Sequence, residues 1–210
     1  MEPPSVRAAR ISSPRQNHAK KRKHSLTCDF SFESRFARLQ RKNGDYFETL
    51  DGFGVKFRIP ELRQRVLFVM KLLCEFETSV AVRFADAAES KELNFRYRGK
   101  SYPTDVLSFA AWETNRGLLR SGIEGPESSR MGDLCICVPV CRIQARERRS
   151  DLARELERMI IHGLCHLRGF DHERSDAALR VMNRLELSIQ RELVLKFGLA
   201  KWASVVELKR

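Results

Sequence analysis

Apolar positions recur with two periods along this chain, and the switch between them marks out its elements. From Pro60, the residues Leu62, Val66, Leu67, Val69, Met70 and Leu73 keep the three-and-four spacing of a helix face. Pro60 suits a first helical turn, so a helix is predicted to about Phe76. Residues 79–86 alternate instead, with Val80, Val82 and Phe84 on one side, as in a half-buried strand. Residues 89–98 read as a helix, and residues 106–112, after Pro103, read as a strand. Residues 133–138 give a further strand that leads into a short helix before Ser150. Ser150 is expected to cap a long helix, with Asp151 favourably placed at the N-terminal end of its dipole. The apolar stripe of that helix is Leu152, Leu156, Met159, Ile160, Gly163 and Leu167. A last helix is predicted over residues 175–197.

Upstream, the alternation Leu26, Cys28, Phe30, Phe32 competes with residues 51–59 as the first strand, and the pattern does not choose between them. Residues 113–131, with Gly117, Gly122, Gly125 and Pro126, read as a loop. Helices and strands mix around one small sheet without internal repeat. The expected fold is therefore α/β, α+β-like, with a small mixed sheet packed against helices. The division is a basic arm over residues 1–24, an uncertain lead-in with a first strand over 25–59, and a main domain over 60–210.

Charge changes this picture at one end. The net charge is +12, and residues 1–42 hold 11 Lys/Arg against 3 Asp/Glu. Pro3, Pro4, Pro14 and the run Lys20-Lys21-Arg22-Lys23-His24 leave little apolar surface in the arm to offset its ordering, so it is expected to be disordered. A nuclear localisation signal and an organelle transit peptide are sharper readings of the same residues. A basic excess favours polyanionic partners, of which nucleic acid is the commonest. No run approaches the ~18 apolar residues that cross a bilayer, and no secretory signal is visible. A soluble, cytoplasmic protein without a membrane partner is expected. The six cysteines form no C-x-x-C pairs and read as reduced core thiols, including Cys135, Cys137 and Cys141.

Three of five histidines fall within eleven residues, as His162-Gly-Leu-Cys-His166-Leu-Arg-Gly169-Phe-Asp-His172. His162 and His166 are four apart, so their rings leave one side of a helix and flank its apolar stripe. Gly169 can take a left-handed backbone and end that helix, returning His172 to the same point. Three neutral imidazoles with a fourth position open are a catalytic zinc arrangement, since structural sites usually close with four protein ligands. The same spacing occurs in metzincin peptidases, which carry a glutamate general base directly after the first histidine. That position here is Gly163.

These residues resemble the YbeY family of bacterial rRNA-maturation endoribonucleases, whose pattern H-G-x-x-H-L-x-G-[YF]-D-H fits His162 to His172 at every fixed position. A second block, Leu93-Asn94-Phe95-Arg96-Tyr97-Arg98-Gly99 with Pro103-Thr104-Asp105-Val106-Leu107-Ser108-Phe109, is similar to the family's L-N-x-x-Y-R and P-T-[ND]-V-L-S-F. A third, Gly132-Asp133-Leu134-Cys135-Ile136, is similar to its G-D-[IL]-x-I strand. The resemblance spans roughly residues 60–197. It implies one zinc ion on His162, His166 and His172, and cleavage of single-stranded RNA. It further implies roles in 16S rRNA 3′-end maturation, ribosome biogenesis and ribosome quality control, with rRNA and the small ribosomal subunit as partners. The family's functional arginine falls on Arg98, whose planar fork suits phosphate oxygens. Asp133 and Asp171 are candidate acceptors for a ligand's second ring nitrogen, with turn or cap roles as the plainer reading. Two rivals remain, a metallohydrolase such as a peptidase and an RNA-binding ribosome assembly factor without catalysis.

Overall fold

The computed structural model describes residues 27–32, 37–42, 45–50, 54–74, 78–111, 130–172 and 175–205. The arm over residues 1–24, and residues 113–129 of the expected loop, lie outside them. In chain order the strands are β1 (Thr27–Phe32), β2 (Ala37–Lys42), β3 (Asp45–Leu50), β4 (Val55–Arg58), β5 (Ser79–Ala85), β6 (Val106–Ala110), β7 (Arg130–Cys137) and β8 (Ala203–Val205). The helices are α1 (Ile59–Leu73), α2 (Ala87–Arg98), α3 (Val138–Glu147), α4 (Leu152–Leu167) and α5 (Asp176–Phe197). None is long and apolar enough to cross a membrane.

The small mixed sheet runs β1-β5-β7-β6, with β1, β5 and β7 parallel and the edge strand β6 antiparallel to β7. The expectation of a single sheet needs correcting. A second, antiparallel sheet runs β2-β3-β4-β8. Both candidates for the first strand are strands, one in each sheet, which is why the pattern could not choose. Val55 and Phe57 of β4 are fully buried, so the packed structure begins before residue 60. Strand β8 had too few residues to show a period. Buried Trp202 seats it, stacking on Phe57 at 6.1 Å while its carbonyl accepts from the Arg58 N–H at 2.7 Å.

Helix α4 is the centre of the core. Its predicted stripe is buried, and so are Ala153, Ile161, Leu164 and Cys165, because α4 meets β6 and β7 on one side and α1, α3 and α5 elsewhere. Only a narrow edge is left for polar residues, and His162 and His166 lie half-buried on it. The cap of this helix differs from expectation. Arg149 is left-handed (φ 51°), and the Ser150 N–H bonds to the Ala145 carbonyl at 2.8 Å, so Ser150 closes α3. The N-cap of α4 therefore passes to Asp151, whose side chain makes no capping hydrogen bond.

Two glycines set how closely α4 and the strands approach. A Cβ on Gly163 would lie 2.7 Å from Leu134 Cδ2 and 3.2 Å from Ser108 Oγ, so residue 163 faces the sheet. Gly132 (φ 144°) sits beside the bulge in β7, where a Cβ would meet the Phe109 carbonyl oxygen at 2.2 Å. Leu134 and Ile136 pack with α4, whereas Cys135, Leu107 and Phe109 pack with Leu93 of α2. Neighbouring strand residues point to opposite faces, so α2 and α4 cover opposite faces of the sheet. Arg65 of α1, 1% exposed, donates to Glu157 of α4 at 2.8 Å and to the Phe197 and Gly198 carbonyls at 3.3 and 2.8 Å. This fixes the end of α5 against α4. All six cysteines are buried and unpaired by disulfides, as read from their spacing, and burial pushes Cys135 and Cys165 up to about 12.

Candidate metal centre

Local geometry brings the three histidines together. His162 and His166 stand one turn apart on α4 with ring centroids 4.6 Å apart. Gly169 then turns left-handed (φ 87°), its N–H bonding to the His166 carbonyl at 2.8 Å while the Phe170 N–H bonds to the Cys165 carbonyl at 3.1 Å. That pair of bonds is the left-handed helix stop expected of Gly169. It returns the chain so that the His172 ring lies 5.2 Å from His162 and 5.1 Å from His166.

One nitrogen from each ring lies within 4.8 Å of the others, and the Nε2 atoms of His162 and His166 are 3.1 Å apart. Two nitrogens each 2.0–2.1 Å from a tetrahedral ion stand roughly 3.3 Å apart, so this donor set fits a zinc-sized cation. Burial, with the neighbouring rings of His162 and His172, pushes the His166 pKa down to about 4. The ring is thereby neutral near pH 7, the form that can ligate.

The carboxylate that orients a ring is one that sequence reasoning missed. Glu186 of α5 bonds to His162 Nδ1 at 2.8 Å, which turns Nε2 towards the other two rings. A signal was present in the sequence: Glu186 interrupts the apolar series Met182, Ile189 and Leu193 on the buried side of α5. Of the two carboxylates named beforehand, Asp171 acts on His166 and raises its pKa against the larger effects, while half-exposed Asp133 pairs with Arg130. Asp105, at the start of β6, also belongs to the surroundings. Burial pushes its carboxyl up, but hydrogen bonds from Gln144, the Val106 N–H and Thr104 outweigh this, and nearby His162 adds to them. Its pKa is held below the usual range.

Arg98 is exposed in the last turn of α2, ahead of left-handed Gly99. The ring of its neighbour Tyr97 packs on Phe109 of β6 at 4.9 Å. The last turn of α2, which carries Arg98, thus packs on the face of β6 opposite to the one that α4 covers.

Glu186→Gln keeps the size of the side chain but removes the charge that holds the His162 proton. It should lower metal affinity on the order of 10–100-fold with the fold intact. Competition against a coloured chelator reads this directly, and an unchanged affinity would remove Glu186 from the site.

Comparison with known proteins supplies a relationship. The family model described as Endoribonuclease YbeY matches residues 53–194. Endoribonuclease YbeY of Cupriavidus pinatubonensis is 34% identical over 136 residues, 65% of this chain and 61% of its own length. Those of Stenotrophomonas maltophilia strain K279a and Xanthomonas axonopodis pv. citri are 42% and 43% identical over 117 residues, each covering 56% of this chain and 69% of the relative. The chain thus spans about three fifths of the length of the first of these relatives. The solution structure of TM1509 from Thermotoga maritima is 24% identical, with a TM-score of 0.43 over 67% of this chain and 86% of its own. The family match takes in all three histidines, Glu186 and the α2–β6 block, and the chain belongs to the YbeY endoribonuclease family.

Proposed function

We propose that this chain is a metal-dependent endoribonuclease that cleaves single-stranded RNA, holding one zinc ion through His162, His166 and His172. The observation that carries the reading is the convergence of three half-buried imidazoles, one of them oriented by Glu186, in a chain of this family. When bound, the cation supplies Lewis acidity towards a phosphoryl oxygen and makes a water more acidic. The protein's own part is positional and electrostatic. Glu186 accepts from His162 Nδ1 and holds that ring in one tautomer, and Arg98 presents its fork to the phosphate, where negative charge grows in the transition state.

A peptidase of the metzincin kind fits less well. The position of its glutamate base is Gly163, which faces the sheet with Leu134 against it, so a carboxylate there has no room. The proposed setting is the cytoplasm and the proposed substrate rRNA, in 16S 3′-end maturation and ribosome quality control with the small subunit as partner. The catalytic domain proposed for residues 60–210 packs with β4 before it, so the proposed domain extends upstream of residue 60, and the basic arm over residues 1–24 adds phosphate contacts.

The test uses the full purified chain with a labelled single-stranded RNA and the same RNA in a duplex. Cleavage is expected for the single strand alone, lost with chelator and restored by zinc. Binding without cutting under every divalent cation would favour the assembly-factor reading, and cutting that survives chelation would remove the metal.

A further inference from the structure

The mechanism leaves one exposed surface unused, at the C-terminal end of α2. Phe95, Tyr97 and Tyr102 are 63%, 61% and 54% exposed. Among the described residues, every exposed large aromatic side chain is one of these three. The other exposed large apolar residues, such as Leu187, Leu195 and Leu199, are aliphatic and lie elsewhere. Residues 91–102 also hold Lys91, Arg96, Arg98 and Lys100 against the single acidic residue Glu92. Lys91, Phe95 and Arg98 are spaced four and three apart and so share one side of α2.

The backbone carrying the rings is fixed in advance. Fully buried Asn94 donates to the Tyr102 carbonyl at 2.7 Å, and its own carbonyl accepts from the Lys100 N–H at 3.3 Å. The Ser90 hydroxyl donates to the Thr104 carbonyl at 2.8 Å and accepts from the Thr104 N–H at 3.0 Å. The segment after Gly99 is therefore clamped along α2, and little backbone freedom is left to lose on binding.

We infer that this face is a stacking platform for unpaired bases of RNA on one side of the scissile phosphate, with Phe95 and Tyr102 as base contacts and Lys91 and Lys100 as phosphate contacts. Exposed rings interleaved with cations are the composition that binds single strands, because every base has a π-face and every linkage a negative charge. Aromatic rings and arginines also occur at protein interfaces, but four cations against one carboxylate favour a polyanion as the occupant. The location fits as well. Helices α2 and α4 pack on opposite faces of the sheet whose edge strand is β6, so a strand bound on α2 reaches the imidazoles over that edge.

The inference rests on the nuclease reading for the identity of the RNA, and the experiment separates the two. Binding of a short fluorescein-labelled single-stranded RNA is measured in chelator, where cleavage does not interfere, and kcat and KM are measured with zinc. Phe95→Ala/Tyr102→Ala should raise Kd roughly tenfold per ring. It should raise KM while leaving kcat at saturating RNA unchanged. The slope of log Kd against log salt should stay as in the parent, since a ring neutralises no phosphate. Lys91→Ala and Lys100→Ala should each flatten that slope by about 0.7. Phe95→Trp should keep the affinity, with its added indole fluorescence quenched by bound RNA, a readout that a merely structural role would not give. Duplex RNA should not respond to the double variant. Parental affinity in the double variant, or an unquenched indole at saturation, overturns the platform and leaves the nuclease reading standing. A parent that never cuts RNA, with a double variant that loses binding, does the reverse. Unchanged RNA affinity with loss of self-association assigns the patch to a protein contact instead.

Discussion

His166→Ala is expected to abolish zinc retention and RNA cleavage together. His166 is one of the three ligands proposed, and its half-buried ring has no substitute among the described residues of the site. Elemental analysis should give well below one zinc per chain, and His162→Ala and His172→Ala should match it. The loss should also appear as stability, because a ligand that binds only the folded chain raises its unfolding free energy. At a free zinc concentration a thousand times Kd the gain is about 4 kcal/mol. For a domain of this size that corresponds to a shift of roughly 8–16 °C in Tm. Parent protein in chelator should therefore melt near the His166→Ala variant, and zinc should raise the parent alone. Full zinc occupancy in all three variants would sink the site. Cleavage that persists in His166→Ala would point to a contaminating ribonuclease.

Arg98→Ala should keep the metal and the fold yet lower kcat on the order of 10²–10³-fold. That is the range for removing one preorganised donor aimed at transition-state charge. The metal should survive because Arg98 sits on α2, across the sheet from α4, and is none of the three convergent residues. Arg98→Lys should recover only part of the rate, since an ammonium cannot offer two parallel N–H donors to two oxygens. The division between parameters is informative. An arginine that only attracts RNA would move KM and the salt dependence, whereas one that meets the developing charge moves kcat. A parental kcat in Arg98→Ala would remove it from the catalytic group while leaving the three histidines untouched.

The residues that did not fit a simple sequence rule are instructive. Ser150 has the chemistry of an N-cap, but its N–H closes α3 on the Ala145 carbonyl and α4 starts only at Leu152, which leaves the cap position to Asp151. Gly163 looks in sequence like a departure from a peptidase motif. In the fold it is the point where α4 comes close enough to touch Leu134 and Ser108. A side chain there would push the imidazoles away from the strand they stand beside.

Features that depend on near neighbours in the chain could be read from the residues alone. Helical spacing puts His162 and His166 on one side of α4, and left-handed Gly169 makes the turn that returns His172, so the convergence of the three imidazoles was legible before any tertiary contact was known. The same holds for the course of α1, β5, α4 and α5, and for the burial of the cysteines, since apolar periodicity records which side of each element faces the core. Which distant segments meet became visible only in the folded chain. The pairing of β4 with β8, the carboxylate of Glu186 on His162, and the packing of α2 and α4 on opposite faces of the sheet all join residues far apart in the chain. Backbone geometry carries a periodicity only along its own element. Pairing between elements is chosen by the burial and hydrogen bonding of the whole core, and no local pattern encodes that choice.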